Sequence, residues 1–171
     1  ELIKAFIERH TTKMGVIYPT FEEYPNRGRK EDIVSYLPTN ASMQYDANDI
    51  IRFFNDKEID TLLLINPDNP SGNYIPYNDL LRLIEWSKQR GVNFIVDESF
   101  VDFVDCEGET SLLHDDILAN NPHLYVVKSI SKSYGVPGLR LGVLASGDID
   151  TIARLKKEVA IWNINSFGEF Y

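Results

Sequence analysis

Continuous apolar runs of strand length recur along the chain, and segments with apolar residues at helical spacing lie between them. The runs predict buried strands at residues 15–18, 61–65, 92–96, 124–127 and 141–145, and residues 32–37 alternate like a further strand. The helical spacing predicts helices at residues 1–9, 46–54, 77–90 and 148–160, and Thr20 could cap another over residues 20–24. Such repeated alternation is typical of parallel strands joined by crossover helices. The sequence therefore predicts an open α/β sheet.

Three loops of unusual composition follow predicted strands, at residues 66–72, 97–100 and 129–142. The first is rich in asparagine and proline, the second begins with Asp97, and the third carries Lys132 and Arg140 among serines and glycines. Ligands of open α/β sheets bind at the carboxyl ends of the strands. We therefore expect the three loops to converge on one site.

The third loop places an amine eight residues before a guanidinium. Lys132 in such a loop could be desolvated enough to act as an amine nucleophile. The hydroxyls of Ser129 and Ser131, with the Arg140 guanidinium as a two-pronged ligand, could hold a phosphate. A serine–lysine pair is also common in solvated turns, so this loop alone leaves both interpretations open.

The other two loops add an acid and an amide. Asp97 alone could equally be a helix cap or one half of an ion pair, and Asn69 alone could be a turn amide. Taken with Lys132 and a phosphate cradle, they suit one cofactor. Pyridoxal 5'-phosphate needs a lysine for its Schiff base, an acid for its pyridine nitrogen and donors for its phosphate.

Composition and charge limit the kinds of molecule that the chain is expected to bind. The formal net charge of −9 at pH 7 argues against nucleic acid or an anionic membrane as the main partner. No apolar run approaches the ~18 residues that span a bilayer. The single cysteine, Cys106, allows no internal disulfide framework and predicts a reducing compartment such as the cytoplasm. The three histidines are scattered along the sequence, so no metal site is predicted.

The three motifs, in this order and spacing, resemble the large domain of fold-type-I pyridoxal-phosphate aminotransferases of class I and II. The residues that carry the resemblance are the stretches 66–72, 96–98 and 129–142, including the interval of eight from Lys132 to Arg140. The branch with histidinol-phosphate aminotransferase and threonine-phosphate decarboxylase is the most similar. The resemblance covers nearly the whole chain. It implies an α/β three-layer sandwich with a mostly parallel sheet, the cofactor-binding large domain of an aspartate-aminotransferase-like fold.

The resemblance also implies a role for each site residue. Lys132 would be the catalytic residue, which forms the Schiff base and carries the proton between substrate carbon and cofactor. Asp97 would pair with the pyridinium nitrogen, and Asn69 would donate to the phenolic oxygen of the ring. The phosphate ligands implied are Ser129, Ser131 and Arg140.

Two aromatic positions complete the comparison with that family. Phe21 lies where the family stacks an aromatic side chain on the cofactor ring, although a core position is an equally open interpretation. Phe100 stands three positions after Asp97, where the family usually has a tyrosine whose hydroxyl also reaches the phenolic oxygen. The sequence does not identify another donor for that oxygen.

By the same resemblance, residues 1–171 would form a partial large domain. The family's glycine-rich phosphate turn would lie before Glu1, and the arginine for the substrate carboxylate would lie in a small domain after Tyr171. We therefore expect the 171 residues alone to bind pyridoxal phosphate weakly and to catalyse no transamination. The intact enzyme would be a homodimer.

The first functional interpretation is an aminotransferase that moves an amino group from an amino acid or phosphorylated amine to a 2-oxo acid. One alternative is a pyridoxal-phosphate-dependent decarboxylase of a phosphorylated amino acid. Another is an aminotransferase-like domain that senses a ligand in a transcription regulator. The sequence leaves the amino donor and acceptor open.

Overall fold

A computed structural model describes residues 2–170 as one mixed sheet with helices on both faces. The strands are β1 (Met14–Ile17), β2 (Ile33–Tyr36), β3 (Thr61–Ile65), β4 (Asn93–Asp97), β5 (Leu124–Lys128) and β6 (Val143–Ala145). The helices are α1 (Leu2–His10), α2 (Ala47–Phe54), α3 (Tyr77–Arg90), α4 (Asp115–Asn120), α5 (Ile130–Ser133), α6 (Ile149–Glu158) and α7 (Ser166–Phe170). Within residues 2–170, no helix is both long and apolar enough to cross a membrane.

The six strands lie in the order β2-β1-β3-β4-β5-β6. The first five pair in parallel, and β6 alone pairs antiparallel, with β5. The predicted mostly parallel α/β sheet is therefore confirmed. The antiparallel edge strand arises because the chain between β5 and β6 makes only the single turn of α5 and a 3-10 turn. Neither is a helix long enough to carry the chain back across the sheet.

The residues of β3 show why the domain has three layers. All five are buried, and successive side chains of a strand point to opposite faces. Leu62 and Leu64 belong to one core cluster, with residues of α2 and α3. Leu63 and Ile65 belong to the other, with residues of α1 and α6. A strand that is apolar on both faces therefore requires a layer of helices on each side.

Several local expectations need correction. Helix α4 was not predicted, β6 begins at Val143 instead of residue 141, and α6 ends at Glu158. Residues 20–24 form no helix: residues 22–24 are a turn, followed by a 3-10 turn at Pro25–Arg27. The reason is Pro25, which has no N–H to donate and restricts the residue before it.

Gly15 on β1 marks a close contact between the sheet and α2. A Cβ at this position would lie 2.7 Å from Cε1 of the fully buried Phe54 and 2.9 Å from Cδ1 of Ile59. We expect Gly15→Ala to lower the free energy of unfolding of the whole protein by about 1–3 kcal/mol, because the core must shift. Denaturant unfolding measures the effect. Gly138→Ala is the control, since a Cβ there meets nothing within 4 Å; equal losses in both variants would contradict this packing.

Candidate functional site

The three central strands end at one level of the sheet. In the register of the pairs, Ile65 at the end of β3 lies opposite Asp97 at the end of β4, and Asp97 lies opposite Val127 of β5. The three unusual loops therefore leave the same edge of the sheet side by side. The expected convergence of residues 66–72, 97–100 and 129–142 follows from this register.

Polar groups of the first loop hold it in place through hydrogen bonds within the loop and to neighbouring segments. The Asn66 side chain donates to the Ile75 carbonyl at 3.0 Å and accepts from the Ile75 N–H at 2.8 Å, and the Asn66 N–H bonds to the Asp97 carbonyl. Asp68 is buried and accepts from the Ser71 hydroxyl, and burial raises the pKa of Asp68. The half-buried side-chain amide of Asn69 has no hydrogen-bond partner among the described residues. That amide is therefore free to donate to a ligand.

Asp97 is held as an oriented, buried carboxylate. It is 7% exposed, and its Oδ1 accepts from the Ser99 N–H at 2.8 Å. Its Oδ2 accepts from the hydroxyl of Tyr24. Burial, and then the negative charge of Asp97, raise the pKa of Tyr24 well above its ordinary value, so the phenol stays protonated and donates. A carboxylate offers about four lone pairs, so Asp97 retains the capacity to bind another donor.

Tyr24 is the site residue that sequence reasoning missed. It lies in the turn that replaces the expected helix over residues 20–24, and 73 positions separate it from Asp97. The signal in the sequence was a tyrosine that follows two glutamates and directly precedes Pro25. Phe21 lies beside it, with ring centroids 6.0 Å apart in an edge-on arrangement. Phe21 is 46% exposed among residues 2–170, and its place over a cofactor ring stays a prediction.

Two contacts tie the loop after β4 to the loop after β5. The Ser129 N–H donates to the Ser99 hydroxyl at 3.1 Å. Lys128 Nζ lies 2.7 Å from Asp102 Oδ1. Burial opposes the charge on Asp102, but Lys128 and the Ser133 side chain together lower the pKa of Asp102 below its ordinary value. The acid-bearing and amine-bearing loops are therefore fixed to one another.

Lys132 lies on α5, a single helical turn where the sequence predicted only a loop. The turn is fastened by Ser131, which is buried: its hydroxyl donates to the Leu141 carbonyl at 3.2 Å and accepts from the Leu141 N–H at 2.9 Å. The only proton of that hydroxyl is thus engaged by the backbone, and Ser131 as a phosphate ligand stays a prediction. Arg140 is exposed in a left-handed conformation at φ 56°, and its Nη1 donates to the Pro137 carbonyl.

The Lys132 amine is unpaired within the described part of the chain. No hydrogen bond or ion pair to residues 2–170 involves it, and its Nζ lies 3.8 Å from the centroid of the Phe100 ring. In the loop after β4, the fully buried Glu98 accepts from the Ser111 hydroxyl at 2.6 Å and the Leu112 N–H at 2.7 Å. Burial raises the pKa of Glu98. Glu98 thereby fastens the segment after the second loop.

The edge of the sheet thus combines an amine without an ionic partner, an oriented carboxylate and a free amide. These are the groups that a pyridoxal phosphate ring requires, and the three loops present them together. In residues 2–170, no group of three histidine, cysteine or acidic side chains could hold a metal ion.

The comparison with known families agrees with this site. Residues 6–169 match the model of the family described as aminotransferase class I and II, so the chain belongs to that family. Members of this family use pyridoxal 5'-phosphate as cofactor. The resemblance read from the motifs is confirmed, and so is the aspartate-aminotransferase-like fold.

Particular relatives include both decarboxylases and aminotransferases. The L-serine phosphate decarboxylase of Sulfurospirillum multivorans is 33% identical over 99% of this chain and 44% of its own length. The threonine-phosphate decarboxylase of Salmonella typhimurium is 37% identical over 65% of this chain and 29% of its own. The crystal structure of the histidinol-phosphate aminotransferase from Clostridium acetobutylicum is 25% identical and superposes with a TM-score of 0.81. That match covers 98% of this chain and 49% of the aminotransferase chain. The chain thus spans less than half the length of these relatives.

Proposed function

We propose that this chain holds pyridoxal phosphate on Lys132, and that the whole protein removes the α-carboxylate of an O-phosphorylated amino acid. Two observations support the cofactor part: the Lys132 amine is unpaired within residues 2–170 and the Asp97 carboxylate is oriented, and they lie on loops that a Ser129–Ser99 hydrogen bond joins. Similarity supports the reaction part. Two of the relatives described above are decarboxylases of phosphorylated amino acids, one of them aligned over 99% of this chain.

The bound cofactor supplies an aldehyde for the amine and a ring that withdraws electrons from the substrate α-carbon. Lys132 would hold the cofactor through its amine, and the same amine would hold or deliver a proton at the substrate α-carbon. Asp97 keeps the proton on the ring nitrogen, and Asn69 donates to the phenolic oxygen. The proposed phosphate ligands are Ser129, Ser131 and Arg140, and Phe21 is the proposed cover for the ring face.

The two halves of the proposal have different tests. In the whole protein, O-phospho-L-serine or O-phospho-L-threonine should release CO₂ and the corresponding phosphorylated amine, with no second substrate present. The carboxylate leaves as CO₂ and a proton takes its place on the α-carbon. Formation of a 2-oxo acid instead, with the cofactor converted to its amine form, would contradict decarboxylation and leave the cofactor assignment intact.

Transamination is the second candidate, because the histidinol-phosphate aminotransferase structure superposes on 98% of this chain with a TM-score of 0.81. It requires the same Lys132 and Asp97, but the α-carbon keeps its carboxylate and loses its hydrogen as a proton, and that proton is not returned to the α-carbon. A phosphorylated amine such as L-histidinol phosphate, supplied together with 2-oxoglutarate, should yield glutamate under this candidate. Decarboxylation predicts no glutamate.

Several features of the whole protein belong to the same proposal. Residues 1–171 would form part of a cofactor-binding large domain, and the whole protein would be a cytoplasmic homodimer. Its other partners would be small molecules, with no nucleic acid or membrane. Size-exclusion chromatography of the whole protein tests the dimer.

A further inference from the structure

The amine of Lys132 lies against an aromatic face. Its Nζ is 3.8 Å from the centroid of the Phe100 ring, well within the ~6 Å at which a cation is attracted to the face of an aromatic ring. Within residues 2–170, no carboxylate lies within salt-bridge distance of this amine, and no carbonyl accepts from it. The ring is therefore the group that holds the amine.

The backbone is held in place at both Phe100 and Lys132. Phe100 directly precedes the 3-10 turn Val101–Phe103, where Val101 is buried and Asp102 is paired with Lys128. Lys132 rests on α5, which the Ser131 hydroxyl fastens to Leu141. The bond from the Ser129 N–H to the Ser99 hydroxyl sets the distance between the two segments. Only the flexible side chain of Lys132 remains to be placed, and the ring face limits where it can lie.

We propose that Phe100 is a positioning residue for Lys132. The face of its ring holds the ammonium at the carboxyl edge of β4 and β5, close to where the cofactor's aldehyde must arrive. The contact stands on the geometry alone, while its catalytic meaning rests on the proposed function. A ring face suffices, so tyrosine at this position would preserve the contact and leucine would remove it.

Phe103 provides a matched control. Its ring centroid lies 6.4 Å from that of Phe100 and its side chain is 65% exposed, and it makes no contact with the amine of Lys132. Phe103→Leu therefore makes the same chemical change, one helical turn away, without removing the ring face.

The test uses the whole protein freed of cofactor, with its lysines converted to ¹³C-dimethyl-lysine and observed by NMR. Lys132→Arg assigns the resonance of Lys132. Ring current should place its N-methyl protons upfield of the other lysines in the parent protein. The same position is expected in Phe100→Tyr and Phe103→Leu, whereas Phe100→Leu should return the resonance to the position of exposed lysines.

A second readout is the rate at which acetic anhydride acetylates Lys132, followed by peptide mass spectrometry. The ring stabilises the unreactive ammonium, so Phe100→Leu should raise this rate about two- to fivefold, with no change in Phe100→Tyr or Phe103→Leu. An ordinary Lys132 resonance in the parent, or one that Phe100→Leu does not move, would overturn the proposal.

Borohydride trapping of pyridoxal phosphate separates the two proposals. Trapping on Lys132 in a protein whose Lys132 resonance is ordinary would remove the role of Phe100 and keep the cofactor site. An upfield resonance without trapping on Lys132 would keep the contact and remove the cofactor role.

Discussion

Lys132→Ala should lower kcat/KM of the whole protein by at least about 10²–10⁴-fold, the contribution of a positioned proton-transfer group alone. The substitution also removes the amine that binds the cofactor. Its effect on folding should be small, because Lys132 is exposed and contacts only the Phe100 ring among the described groups around its amine. We expect the free energy of unfolding to change by less than about 1 kcal/mol.

Steady-state assays and denaturant unfolding of the same preparations measure both effects. Lys156→Ala is the control, since Lys156 is exposed on α6 and lies outside the three loops. Full activity in Lys132→Ala, or an equal loss in Lys156→Ala, would remove Lys132 from the mechanism. A large loss of stability in Lys132→Ala would mean that the lysine is structural.

Asp97→Asn should lower kcat/KM by about 10²–10³-fold, the cost of removing one oriented electrostatic group from an active site. The amide preserves size and can still accept the Ser99 N–H, but it carries no charge to keep a proton on the ring nitrogen. Cofactor affinity should fall with activity, because a charge-assisted hydrogen bond is lost. Titration of the cofactor-free protein with pyridoxal phosphate, followed by absorbance, measures this affinity.

Tyr24→Phe is the matched variant. It leaves the Asp97 carboxylate in place and removes one of its two donors, so the free energy of unfolding should fall by about 1–3 kcal/mol. Its loss of activity should be smaller than that of Asp97→Asn. If Asp97→Asn is fully active, or if Tyr24→Phe is the more damaging of the two, the carboxylate does not serve the cofactor ring.

The sequence predicted those parts of the fold that short stretches of neighbouring residues determine. The run Thr61–Ile65 is buried at every position, and 61–65 was predicted as a strand. Gly91, in a left-handed conformation, ends α3 where the spacing predicted. The order of three strand-end loops was enough to predict one site, because parallel strands share a carboxyl edge. The sequence motifs were enough to identify the family.

The parts that were missed depend on contacts between distant residues. Tyr24 and Asp97 meet across 73 positions, and a helix predicted over 20–24 would have turned Tyr24 elsewhere. The hydroxyl of Ser131 bonds to the backbone of Leu141, ten positions on, and the sequence did not predict that contact. The single turn of α5 and the antiparallel pairing of β6 follow from the same closure of the loop. The spacing of residues along the sequence predicts none of these contacts.

The most direct measurement is borohydride reduction of the whole protein with pyridoxal phosphate, followed by tryptic peptide mapping. Trypsin cleaves after Lys128, Lys132 and Arg140, so a modified Lys132 blocks one cleavage and yields a single peptide over residues 129–140. If Lys132 holds the cofactor, this peptide carries the pyridoxyl group. Unmodified peptides 129–132 and 133–140, with the pyridoxyl group on another lysine, would contradict it.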